Sequence, residues 1–143
     1  QTTLGELYYS GNGVPQDYLK ASELTKLPAE TGVPDAQFNL GVMYERGYGL
    51  AQDLLQAAYW YGKAAGQGHA GAQNNLGDSY YRGTTQQPNY LEACKWYTLA
   101  AAQHEPNAIK SRDAIQKEMA PDQIVRCQKA ANEEFKKIQA LKK

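Results

Sequence analysis

Two cysteines and two histidines are the side chains in this sequence that most often carry metal or redox chemistry. Cys94 and Cys127 are too few for a four-thiolate zinc site or a framework of disulfides. His69 and His104 have no pattern of carboxylates beside them, and isolated histidines of this kind are usually solvated. The motifs Gly-x-Ser-x-Gly, Ser-x-x-Lys and His-Glu-x-x-His do not occur. The sequence therefore predicts no enzyme, no catalytic residue, no metal site and no cofactor.

Two short glycine motifs could cradle a phosphate in another context. They are Gly11-Asn12-Gly13 and Gly47-Tyr48-Gly49. A phosphate loop follows a strand and leads into Lys-Ser or Lys-Thr, whereas these motifs follow helical patterns and no such pair comes after them. We interpret them as tight turns, in which glycine permits a positive φ.

Composition excludes several classes of protein. The 143 residues include 15 Lys and Arg and 15 Asp and Glu, and this zero net charge argues against a nucleic-acid-binding protein. No stretch approaches the roughly 20 apolar residues of a membrane span. Tyrosine is unusually frequent, with 11 residues against 2 phenylalanines, and there are 13 glycines. These two counts call for a specific structural explanation.

A repeat of 36 residues provides that explanation. Leu4-Gly5, Leu40-Gly41 and Leu76-Gly77 follow one another at this spacing. The same shift superposes further residues of identical type: Tyr8, Tyr44 and Tyr80; Gly11, Gly47 and Gly83; Leu19, Leu55 and Leu91; Ala29, Ala65 and Ala101. Similarity at a fixed period indicates a repeat protein. We predict a single solenoid domain over 1–143, with an incomplete repeat over 1–34, full repeats over 35–70 and 71–106, and a degenerate repeat with an amphipathic capping helix over 107–143.

Each repeat is predicted to hold two helices joined by a turn. In the second repeat, the first helix runs from Asp35 to Arg46 and has an apolar stripe at helical spacing. The second helix runs from about Asp53 to Ala65 and is apolar over most of its circumference, so it should be sandwiched between neighbours. The second helices of the three repeats have suitable amino-terminal caps in Asp17, Asp53 and Asn89.

Glycines at repeated positions have two predicted roles. Gly32 and Gly68 should end the second helices, and His104 takes that place in the third repeat. Gly41 and Gly77 lie inside first helices, where each costs roughly 1 kcal/mol of helix propensity relative to alanine. Because this loss of helix propensity recurs at the same position of each repeat, we expect two helices to cross there so closely that no side chain fits between them.

The carboxyl-terminal segment is predicted to form a cap. A helix beginning near Pro121 places Ile124, Cys127, Ala131, Phe135 and Ile138 on one face, and a solenoid needs such a helix to cover its last apolar surface. Helices of neighbouring repeats lie about 8–10 Å apart, which is too far for most disulfides. We therefore expect Cys94 and Cys127 to be buried free thiols.

The pattern Ala36-x-x-x-Leu40-Gly41-x-x-Tyr44-x-x-Gly47-x-Gly49, followed by Ala57-x-x-Trp60-Tyr61-x-Lys63-Ala64-Ala65-x-x-Gly68, resembles the Sel-one-like repeat (SLR) family, a relative of the tetratricopeptide repeat. The resemblance implies an all-α fold, a right-handed α-solenoid of helix-turn-helix repeats whose first helices line a concave groove. It also implies an adaptor or scaffold that binds other proteins. Many bacterial members are exported, so the resemblance favours an exported or periplasmic bacterial protein.

Groove-facing positions follow from the geometry of the first helices. The predicted partner-binding residues are Glu6, Tyr9, Phe38, Val42, Glu45, Arg46, Asn74, Asp78, Tyr81 and Arg82. Aromatic rings on a polar strip are typical of protein-binding hot spots. Alternatively, these rings pack against the next repeat. The two arginines could bind a ligand carboxylate, or they could pair with Glu45 or Asp78.

Three functions remain open at this point. The first is a module that binds a peptide or protein in the groove. The second is a structural solenoid that self-associates, for example as a homodimer through an exposed amino-terminal edge. The third is a protein that binds or acts on cell-wall material, which would require a convergent set of titratable groups that the sequence does not display.

Overall fold

The computed structural model describes residues 15–48, 50–83 and 88–141, although the side chains of 15–22 are not described. Within these ranges the chain forms helices and no strand, which confirms the all-α prediction. The helices are α1 (Pro15–Glu30), α2 (Pro34–Arg46), α3 (Leu54–Ala65), α4 (Ala70–Arg82), α5 (Tyr90–Ala102), α6 (Pro106–Gln116) and α7 (Pro121–Leu141). Contacts divide the chain into two compact units, Gln1–Ala64 and Ala65–Lys143.

In the first unit, α1 packs against α2. The core consists of Ala29, Ala36, Leu40 and Met43, all fully buried, with partly buried aromatic rings around them. Gly32 ends α1 with a φ of 103°, as predicted for a carboxyl-terminal cap. The buried Gln37 side chain donates to the carbonyl of Ala29 at 3.1 Å, which satisfies a carbonyl near that helix end.

In the second unit, α5 packs against α4, α6 and α7. The prediction that second helices are sandwiched between neighbours is thus confirmed for α5. Its core cluster joins Cys94 and Tyr97 to Ile115 and Met119, which lie at and just beyond the end of α6. Fully burying an aliphatic side chain of this size contributes about 1.5–3 kcal/mol, so a few such residues hold the degenerate repeat onto the regular one.

The rings of Tyr61 and Tyr97 pack against the glycines in the middle of the first helices, Gly41 and Gly77. A Cβ built on Gly41 would lie 2.7 Å from ring carbons of Tyr61, and one built on Gly77 would lie 2.7 Å from ring carbons of Tyr97. Such distances are shorter than any normal contact. The predicted close approach at these glycines is therefore confirmed, and an aromatic ring from the second helix occupies the space.

Cys94 of α5 and Cys127 of α7 form a disulfide, so the prediction of two free thiols is wrong. The error lies in treating the distance between helix axes as the distance between residues. Cα atoms lie about 2.3 Å from their helix axis, so facing Cα atoms approach several ångströms closer than the axes do. Here the two Cα atoms are 5.9 Å apart, within the range that a disulfide spans.

Side chains cap two of the second helices as predicted. The Asp53 carboxylate accepts from the backbone N–H groups of Leu55 and Gln56. The Asn89 side chain accepts from the N–H of Glu92 at 3.0 Å. Asp17 instead lies inside α1, because that helix already begins at Pro15, a residue suited to the first helical position.

The carboxyl-terminal helix α7 begins at Pro121, as predicted. It buries Cys127, Ala131 and Ile138, whereas the ring of Phe135 is about half exposed. Across the described ranges, no helix combines the length and apolar character that crossing a membrane requires.

Candidate functional site

A pocket of about 310 Å³ lies in the second unit, between α4 and α6. Residues of α4 supply one wall, α6 and the turn after it supply the other, and Tyr97 of α5 reaches in from below. The lining consists of Asp78, Tyr81, Arg82, Tyr97, Ser111, Ala114, Ile115 and Glu118. Helical spacing places the first three on neighbouring positions of one face, because residues three and four apart are adjacent on a helix. The structure thus brings together three residues predicted to bind a partner, namely Asp78, Tyr81 and Arg82.

The base of the pocket is held by Tyr97. Its ring is almost fully buried, and its hydroxyl donates a short hydrogen bond to the carboxylate of Asp78. Burial, followed by this hydrogen bond and the negative charge of Asp78, raises the pKa of the Tyr97 hydroxyl far above its ordinary value. Ser111 and Arg82 act in the opposite direction with smaller effect. Tyr97 therefore stays neutral and fixes the orientation of the Asp78 side chain.

At the rim of the pocket, Tyr81 stacks on Tyr90, which lies beside the lining residues. The rings of Tyr81 and Tyr90 lie 5.2 Å apart at an interplanar angle of 19°, and each side chain is 40% exposed. The Tyr81 hydroxyl lies 3.5 Å from a carboxylate oxygen of Glu118 on the opposite wall. The charge of Glu118 is the largest cause of the raised pKa of Tyr81. The rim therefore combines an exposed aromatic surface with a negative charge.

The other predicted residues are placed differently from one another. Val42 and Asn74 are buried, and Arg46 is exposed. Phe38 is half-buried, with its ring centre 5.8 Å from that of Tyr61, so it packs against the second helix of its own repeat. Glu45 accepts a hydrogen bond of 2.7 Å from the Tyr61 hydroxyl.

Two further predicted residues, Glu6 and Tyr9, lie outside the described part of the chain, as does most of the predicted first helix of the first repeat. A binding role for any of the ten residues stays a prediction.

Sequence reasoning missed five of the eight residues that line this pocket, namely Tyr97, Ser111, Ala114, Ile115 and Glu118. Tyr97 could have been found from the sequence, because Tyr61 stands 36 residues before it. In the structure, the hydroxyls of both tyrosines donate to a carboxylate of the preceding helix. Tyr90, which stacks on Tyr81 beside the pocket, belongs to a second helix, and we did not expect a second helix there. Ser111 and Glu118 lie in the degenerate repeat, where the 36-residue register no longer identifies which positions face inward.

In the described structure, both histidines lie at helix ends, where His69 caps a helix and His104 adopts a positive φ. The Nδ1 atom of His69 accepts from the N–H of Ala72 at 3.0 Å and so caps α4, in contrast to the solvated side chain that we expected. His104 adopts a φ of 67° in the place that glycine takes in the preceding repeats. Among the residues that the structure describes, no cluster of His, Cys, Asp or Glu could hold a metal ion.

Comparison with known proteins agrees with the repeat architecture. The sequence profile described as Sel1 repeat matches residues 1–26, 34–69 and 70–104. No curated protein matches the chain significantly.

Two solved structures share its fold. A protective antigen of uropathogenic Escherichia coli strains, which displays an SLR fold, is 30% identical with a TM-score of 0.91 over 96% of this chain. A Sel1 repeat protein from Oxalobacter formigenes is 29% identical with a TM-score of 0.75 over 95% of this chain. The matches span 29% and 56% of those two proteins, so this chain corresponds to only part of each. The predicted α-solenoid fold class is confirmed by these likenesses.

Proposed function

The chain belongs to the Sel1 repeat family, whose members are generally scaffolds for protein–protein interaction, and on that premise we propose that it binds a peptide or protein segment through the pocket between α4 and α6. Within the predicted concave groove, the proposal assigns binding to one place, the pocket between α4 and α6. It assigns the chain a binding role without a catalytic step.

The observation that carries this proposal is the convergence of predicted contact residues on one pocket. Helix geometry predicts that Asp78, Tyr81 and Arg82 face a partner, and all three line the same 310 Å³ space together with residues of the next repeat. A volume of this size admits one or two side chains of a partner. The pocket therefore suits recognition of a short segment.

The character of the rim supports the same conclusion. Binding hot spots are enriched in tyrosine and arginine, because rigid amphipathic rings and forked guanidinium groups give contact area and hydrogen bonds together. Tyr81 and Tyr90 stack on one another, so their rings are already held in place before a partner arrives. A preorganised surface loses less side-chain entropy on binding.

The test is a capture experiment with three baits: the wild-type chain, Tyr81→Ser and a matched control, Tyr59→Ser. Tyr59 is 54% exposed on α3 and lies outside the pocket. We expect a partner from the source-cell lysate to bind the wild type and Tyr59→Ser but not Tyr81→Ser, with equal helical content in all three baits. Equal capture by all three would place the site elsewhere, and no capture at physiological salt would contradict an interaction role.

Self-association is a second candidate function, and it is supported by a surface other than the pocket. Leu24, Leu27, Pro28 and Val33 line an apolar hollow at the end of α1, and Leu27 is 67% exposed. A second copy could cover this surface. Sedimentation equilibrium would then give a mass that rises with concentration, and Leu27→Glu would return it to that of the monomer. A monomer at all concentrations would exclude this function. The amino-terminal edge that the sequence predicts for self-association lies outside the described residues.

A further inference from the structure

Resting on the proposed function, we infer that the pocket between α4 and α6 recognises the cationic side chain of a lysine or arginine in the partner. The chemistry of the pocket walls carries this inference. Three ionisable groups line the space besides the tyrosines, and two of them are carboxylates.

Charge is the first argument. Asp78 and Glu118 contribute two negative charges and Arg82 contributes one positive charge, so the lining has a net charge of −1. Two pKa shifts agree with this excess of negative charge. Burial is the largest cause of the raised pKa of Tyr97, and beside it the charge of Asp78 raises that pKa more than Arg82 lowers it. The charge of Glu118 is the largest cause of the raised pKa of Tyr81. Each of these carboxylates therefore places negative charge next to a tyrosine hydroxyl of the pocket.

Shape is the second argument. The ring of Tyr81, which stacks on Tyr90, lines the pocket, and its hydroxyl lies 3.5 Å from the carboxylate of Glu118. An ammonium or guanidinium group is attracted both to the face of such a ring and to a nearby carboxylate. Ala114 of α6, which is exposed, offers apolar surface to the methylene stem of the same side chain, whereas Ile115 is fully buried. A long side chain that is apolar along its stem and positive at its end matches both regions.

An anionic side chain fits the site less well. Arg82 alone could form a forked pair with a carboxylate. That carboxylate would share a small pocket with Asp78 and Glu118, whose like charges oppose it. Arg82 is instead expected to limit the affinity for cations, which makes it an informative residue to change.

The experiment uses small probes of defined charge. N-acetyl-lysine methylamide, its norleucine analogue and its glutamate analogue are titrated to tens of millimolar into the isotopically labelled full chain, and binding is followed by NMR shifts of the pocket residues. We expect the lysine probe to bind more tightly than the other two. Glu118→Gln should weaken it about two- to five-fold, the range expected for one partly solvated charge pair, and Arg82→Gln should strengthen it by a similar factor. Glu133→Gln, a matched change on the exposed surface of α7, should leave the affinity unchanged.

Three results would overturn the inference. Tighter binding of the glutamate probe, lost in Arg82→Gln, would identify a carboxylate site. Equal binding of lysine and norleucine would identify an apolar site without charge selection. No shift in the pocket residues with any probe would mean that the pocket does not recognise a single side chain. In each case the proposed function is judged separately, since it fails only if Tyr81→Ser still captures the partner or if no bait captures a partner.

Discussion

Replacing Gly77 by alanine should destabilise the protein, although the same change improves the propensity of a helix. The new Cβ would lie 2.7 Å from two ring carbons of Tyr97. That ring cannot easily move aside, because it is 3% exposed and its hydroxyl is bonded to Asp78. The methyl group is therefore accommodated only if the ring or the helix shifts.

The magnitude follows from three contributions. Overpacking a buried site typically costs about 1–3 kcal/mol. Displacing the ring also weakens its hydrogen bond to the carboxylate of Asp78. An intact bond to a charged group contributes about 1.5–3 kcal/mol, so weakening it costs about 1 kcal/mol. Alanine recovers roughly 1 kcal/mol of helix propensity. We expect a net loss of about 1–3 kcal/mol in the free energy of unfolding, with a correspondingly lower melting temperature.

Urea denaturation followed by circular dichroism measures this loss, and Gly62→Ala is the matched control. Gly62 also lies inside a helix, but a Cβ built there meets nothing within 4 Å. Gly62→Ala should therefore stabilise the protein by up to about 1 kcal/mol through helix propensity alone. If Gly77→Ala stabilised the protein as much as the control does, the argument that the tyrosine ring excludes a side chain would be refuted.

Three further predictions concern other contacts of the second unit. His104→Gly should stabilise the protein by about 1 kcal/mol in thermal denaturation, because a positive φ strains a residue that has a Cβ; no gain would contradict that strain. Reducing the Cys94–Cys127 disulfide, which closes a loop of 33 residues, should lower the free energy of unfolding by roughly 4 kcal/mol; unchanged urea midpoints would refute this. Because the fold raises the pKa of Tyr97, its contribution to stability is fully present below about pH 10 and decreases above it, as the unfolded chain loses its proton first. Tyr97→Phe should show a shallower decline in stability over that range, and an unchanged decline would show that other groups cause it.

The regular repeats were predictable from the sequence because their residues recur under identical constraints. Gly41 and Gly77 recur since each faces a tyrosine ring, and the recurrence alone indicated a close approach. The pairing of Cys94 with Cys127 was not predictable in the same way, because it depends on which sides of two helices face each other. The period supplies no such information once the repeat becomes degenerate.

The same limit explains the incomplete prediction of the pocket. The α4 wall was found because its helix has an apolar stripe that fixes which side faces inward. Ser111 and Glu118 form part of the opposite wall, and their orientation is set by the packing of Ile115 and Met119 against α5. That packing is tertiary, so the identity of the second wall required the structure.

The Cys94–Cys127 bond also determines how the chain would respond to mechanical tension. Covalent linkage between α5 and α7 removes the 33-residue loop from the path along which a pulling force is transmitted. At about 3.4 Å per residue, roughly 110 Å of contour length is withheld from extension. A force applied to the two ends of the chain would bypass α6 while the bond is intact, so the wall that α6 contributes to the pocket would be shielded from direct load.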